Sequence, residues 1–179
     1  MEWAAACTNV GSLADLFAAG ERETLEFFFV RLKEVSEPSV DHHELLYNAS
    51  VLAHHARVST HSASDLTTPA TLTEVFDHFV FDTSLRDDSA MMEAAGAQCL
   101  LLAGFFEDQL RRRHNIRWFA QLGGGFFRRA AALERSPHRV NLLAAIAAGF
   151  EAWRQRHARL GRELRDQPYL LIRPPRSAT

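Results

Sequence analysis

The chain is poor in the residues that mark several protein classes. It has two cysteines in 179 residues, Cys7 near the start and Cys99 within an apolar helical run. Two such thiols make neither a disulfide framework nor a zinc ligand set, and they suit a reducing compartment. Six prolines and nine glycines exclude a collagenous or low-complexity chain. The longest uncharged apolar run, Ala94 to Phe106, is short. A membrane span needs about 20 such residues, so this run is expected to be a buried core helix. Met1-Glu2-Trp3 lacks a basic stretch leading into an apolar one, so no secretory signal is expected and the reading is cytoplasmic. Alternating polar and β-branched runs are missing as well, which excludes a sheet protein. No Gly-x-Ser-x-Gly elbow, phosphate loop, His-Glu-x-x-His or Glu-x-x-His spacing occurs.

Hydrophobic residues make up 47% of the chain and charged ones 23%, the balance of a globular domain able to bury a core without cofactor or crosslink. Net charge is only −2, but its two signs are segregated. Residues 1–108 carry 5 basic and 18 acidic side chains, whereas residues 109–179 carry 15 basic and 4 acidic ones. All fifteen of those bases are Arg, and the only lysine is Lys33.

Helical periodicity runs through most of the sequence. The spacing predicts a helix from Ser12 towards Pro38 with a break at Gly20, and a second over 41–59. A Ser/Thr-rich loop follows at 60–70, and the capping box Thr71-Leu-Thr-Glu74 opens a short helix to Thr83. A fourth helix, apolar all round, is expected over 87–113, opened by Asp87-Asp88 and closed by Arg111-Arg112-Arg113. A fifth follows over 117–134 and a sixth over 139–165, with a non-helical tail at 166–179. The expected fold is thus all-α: one domain over 1–165, a bundle of five to seven helices around a central apolar one.

The sixth helix carries Leu143, Ile146, Phe150, Trp153, His157, Leu160 and Leu164 at alternating steps of three and four, a heptad seam. Phe150, Trp153 and His157 at its centre either pack inside the bundle or meet a second copy in a homo-oligomer. Arg154, Arg156, Arg159 and Arg162 lie off the seam. They cover so much circumference that some are expected to remain free for an acidic protein partner. Nucleic acid is disfavoured, because the acidic half would repel a long polyanion.

Histidine is frequent, with nine residues. Glu44, Tyr47, Val51, His54 and Val58 share one helical stripe, and His55 adjoins it. Glu74, His78 and Asp82 share another at steps of four. Glu44, His54, His55, Glu74 and His78 are therefore candidates for a metal or small-ligand site. The plainer reading is a capped helix start, a hydrogen-bonded histidine pair and a solvated polar face. No cofactor is assigned. Gly123-Gly124-Gly125 lies inside a helical pattern, where each glycine costs roughly 1 kcal/mol, so it must kink the helix, admit a close neighbour or leave room for a ligand.

The stretch from Gly96 to Ala132 resembles a segment of small uncharacterised bacterial all-helical proteins. The matching positions are Leu100, Gly104, Phe105, Phe106, Arg112, Arg113, Trp118, Phe119, Gly123 and Phe127. A paired Tyr of that family corresponds to Trp118-Phe119, which lack the hydroxyls. The resemblance implies a bacterial, cytoplasmic helical domain and no particular activity. The sequence is accordingly read as a non-enzymatic interaction or regulatory module. The alternative is a helical-bundle enzyme or sensor holding a metal or small ligand among its His and carboxylate groups.

Overall fold

The structure, a computed structural model, describes residues 20–61, 88–111 and 115–166. It is all-helical there, with seven α-helices, one π-helical segment and no strand among the described residues. The helices are α1 (Glu21–Glu34), α2 (His42–His61), α3 (Ser89–Leu100), α4 (Glu107–Leu110), α5 (Ile116–Leu133), α6 (Pro137–Ala148) and α7 (Phe150–Asp166). The π-helical segment, Leu101–Phe105, joins α3 to α4. None of these helices is long and apolar enough to cross a membrane.

Local chemistry sets the starts. Asp41 Oδ1 accepts from the amides of His43 at 2.8 Å and Glu44 at 3.1 Å, which opens α2. Asp88 does the same for Ala90 and Met91 at the head of α3. Asn115 accepts from Trp118 N to open α5. Pro137 occupies the first turn of α6, where its missing N–H costs nothing.

Burial sets the packing. α1 places Phe28 and Leu32, one turn apart, against α2, which answers with Leu45, Ala49 and Leu52. α3 and the π-helical segment form the centre: Met92, Ala95, Cys99, Leu100, Leu102 and Ala103 are all sealed from solvent. α5 packs along α3, α6 along α5, and α7 along the π-helical segment. The expected central apolar helix is therefore present.

Three boundaries differ from expectation. The helix expected over 87–113 is not one α-helix: the backbone widens at Leu101, where Phe106 N reaches Leu101 O at 2.9 Å. The helix expected over 139–165 is two helices meeting at Gly149, a single turn residue between α6 and α7. Pro137 starts α6 as well as following α5. The expected helix over 71–83, with Glu74 and His78, lies outside the described residues, as do the segment before Gly20 and nearly all of the tail.

Candidate functional site

Two arrangements of side chains stand out, and both are organised by α2. The first is a polar ladder inside the core. Trp153 Nε1 donates to Glu44 Oε2 at 2.8 Å, and one turn further His157 Nε2 meets Asn48 Oδ1 at 3.0 Å. Both pairs are separated by 109 residues, so α2 and α7 run parallel. Asn48 Nδ2 donates to Glu44 O at 2.8 Å, which fixes the amide with its oxygen towards the histidine. His157 must then donate from Nε2, and its Nδ1 is left buried without a partner. Burial pushes the His157 imidazole down to about 3, so the ring is neutral at physiological pH.

The heptad seam is thereby spent within the chain. Phe150, Trp153 and His157 are buried in the core at 4%, 1% and 0% exposure, as are Leu143, Ile146 and Leu160. They are not an oligomer surface in this fold: the seam that sequence spacing offers to a second copy is filled by α2, α5 and the π-helical segment.

The Arg face is also engaged, contrary to the expectation that part of it stays free. Arg154 binds Glu151 at 2.8 Å and Glu107 at 3.3 Å, and its Nη1 donates to Ala103 O. Arg156 binds Glu37 at 2.6 Å and lies over the Trp153 ring, 4.7 Å from its centroid. Arg159 pairs with Glu163, Arg162 with Glu107 and Arg165 with Asp108. Arg139 bridges Glu93 and Glu134. Several of these pairs join the basic second part of the chain to the acidic first part. One neighbour cannot satisfy the whole circumference of α7, but several do.

The second arrangement is a cleft of about 660 Å³ between α2 and α3, whose backbones do not pack closely on each other. Four members of the predicted stripe, Tyr47, Val51, His54 and Val58, line it from α2. The fifth, Glu44, is turned to Trp153 instead. His55 lines the cleft too, with its ring edge-on to Phe106 at 5.3 Å. Burial, reinforced by His54, lowers His55 to about 4. From α3 come Glu93, Ala94, Ala97 and Gln98, with Leu101 of the π-helical segment at the base. Burial, and the charge of the Glu93 carboxylate beside it, push the Tyr47 phenol well above its usual range.

Among the described residues, Glu44 is not brought together with His54 and His55. Glu44 is committed to Trp153, and ten residues of helix separate it from His54, about 15 Å along the axis. Glu74 and His78 lie outside the described residues. Among the described residues no three His, Cys, Asp or Glu side chains converge as metal ligands would. Sequence reasoning missed Asn48 and Gln98. Both had a signal: Asn48 follows Glu44 by one turn, and Gln98 is the one amide within the apolar run 94–106.

The glycine triplet serves close approach. A Cβ on Gly123 would sit 2.3 Å from Phe150 Cζ and 2.7 Å from Cys99 Cβ, whereas one on Gly125 would meet nothing within 4 Å. Comparison of the chain with family models, with curated proteins and with solved structures finds no match in any of the three.

Proposed function

We propose that this protein is a non-enzymatic, cytoplasmic regulatory module that works by binding a small ligand in the cleft between α2 and α3. The observation that carries this reading is the character of the cleft wall. Its size lies within the range of small-molecule sites, and aliphatic side chains dominate it. Two of its titratable groups, both partly buried, are shifted away from neutral pH: His55 to about 4, Tyr47 well above its ordinary value. General acid–base chemistry needs groups poised near the working pH, so this wall suits binding better than proton transfer. The surfaces that favoured a protein partner, the seam and the Arg face, have partners within the chain.

The resemblance of residues 96–132 supports the bacterial and cytoplasmic parts of the reading. The test is titration of the untagged protein with the uncharged fluorophore N-phenyl-1-naphthylamine, alongside Ala94→Trp, which fills the mouth of the cleft. Saturable binding that the variant abolishes supports the reading. Absence of binding, or binding indifferent to the variant, overturns it. Stoichiometric iron, zinc or manganese in elemental analysis would favour the metal-holding sensor or enzyme instead.

A further inference from the structure

Arginine pairing is uneven across the fold. On α7 every arginine meets a carboxylate. Among the described residues, the arginine side chains with no ion pair, hydrogen bond or ring contact are Arg117, Arg128 and Arg135. Two stand on α5 and the third just beyond its end, and all three are exposed. The sequence accounts for the shortfall: residues 109–133 contain six arginines and no acid. The carboxylates nearest in sequence are spent, Glu134 on Arg139 and Asp108 on Arg165.

Arg117 and Arg128 are three turns apart, so they project from the same side of α5, about 16 Å from each other along its axis. The adjoining strip carries Trp118, 40% exposed, then half-buried Leu122 and Gly125, where a Cβ would meet nothing within 4 Å. α5 thus shows solvent an apolar strip bordered by cations that the fold does not neutralise. Exposed aromatic and arginine side chains are the types in which protein interfaces are rich. A nucleic acid would set phosphates along the whole strip, over Trp118 and Leu122. It would also meet the carboxylates of Glu107 and Glu151, which share a groove with Arg117. A helix lying along α5 can instead present carboxylates three turns apart with apolar side chains between them.

We propose that the outer face of α5 docks an acidic amphipathic helix of a partner protein, with carboxylates on Arg117 and Arg128 and apolar side chains on Trp118 and Leu122. The surface is separate from the cleft between α2 and α3, since none of the described residues lining that cleft lies on α5. The probe is a fluorescein-labelled peptide of about 20 residues, long enough to form a helix, with Leu at steps of three and four and Glu on either side. It is titrated into the full chain by anisotropy at 50 mM salt, beside the same peptide carrying Gln in place of Glu. The expected result is saturable micromolar binding of the Glu peptide and none of the Gln peptide. Arg117→Gln with Arg128→Gln should weaken it about two- to twentyfold, as loss of two exposed pairs would. Gly125→Glu, which sets a carboxylate in the middle of the strip, should abolish it. Arg159→Gln, on α7, should leave it unchanged. The two arginines have no partner in the fold and Gly125 faces open space, so these variants should keep the wild-type circular dichroism. No binding of the Glu peptide, equal binding of the two peptides, or binding unchanged in either α5 variant would overturn the proposal. Tighter binding of duplex DNA or of phosphatidylglycerol vesicles than of the Glu peptide would overturn it too, and would assign the face to a polyanion or a lipid surface.

Discussion

His157 shows how far one residue's surroundings can reverse what its type suggests. Histidine in a charged helix reads as a surface or interface residue, yet here it is sealed in the core with Asn48 as its partner. Its native value of about 3 lies below the ordinary 6.5. The neutral ring is favoured in the fold, while the unfolded chain takes up a proton below 6.5. Stability is therefore complete above pH 6.5 and is lost progressively as pH falls from there towards 3. At pH 5 this group alone should remove about 2 kcal/mol, and His55, also lowered, acts in the same direction. Glu37, Asp41, Glu134 and Glu151 have lowered values, so their contributions fade only at more acidic pH. Urea unfolding at pH 7 and pH 5 should show the loss, and replacing Asn48 and His157 together with Leu should flatten it. An unchanged slope in that double variant would move the effect elsewhere. Asn48→Ala alone should cost about 1–3 kcal/mol at pH 7, because it strands the His157 N–H.

At the scale of elements, glycine decides how closely α7 and α5 approach the centre. Gly123 lets α5 close onto Phe150 and Cys99. Gly161 brings α7 to the Phe105 carbonyl, where a Cβ would lie 2.5 Å from the oxygen. Gly123→Ala should therefore destabilise by about 1–3 kcal/mol through overpacking. Gly125→Ala, two residues on and facing open space, should stabilise by up to about 1 kcal/mol through helix propensity. Thermal melts of the two variants should move in opposite directions; shifts of the same sign would contradict the placement of the triplet. The π-helical segment is held from outside, since Arg154 of α7 donates to the Ala103 carbonyl. No local pattern in LLAGF announces it. The widening answers packing against α7, which lies more than forty residues away.

For the whole molecule, the segregated charges work as internal complementarity. Arg156 to Glu37, Arg162 to Glu107 and Arg139 to Glu93 each join distant parts of the chain. Exposed pairs of this kind contribute about 0–1 kcal/mol each, so raising salt from 50 to 500 mM should lower the melting temperature only slightly. Titration of labelled duplex DNA or single-stranded RNA at 50 mM salt should show no binding below about 10 μM; tight, salt-sensitive binding would mean that the Arg face serves an outside polyanion. Trp153→Glu discriminates further. A dimer built on the seam predicts folded monomers for that variant. Trp153 at 1% exposure, bonded to Glu44 and covered by Arg156, predicts loss of the fold instead, by more than about 3 kcal/mol. Circular dichroism with light scattering distinguishes the two results.

The linear pattern was enough for the class of fold, because helical period and caps are local properties. Asp41, Asp88 and the apolar run 94–106 mark their helices without help from elsewhere. The same pattern placed Phe150, Trp153, His157 and Leu160 on one face of α7, and Tyr47, Val51, His54 and Val58 on one face of α2. What each face meets was not contained in the spacing. A seam looks alike whether α2 or a second copy covers it, and an Arg-rich turn looks alike whether Glu37 and Glu107 reach it or not. Only the tertiary structure turned Glu44 towards Trp153, gave His157 to Asn48 and left Gln98 beside a cleft, because those outcomes depend on which helices the chain brings together from distant parts of the sequence.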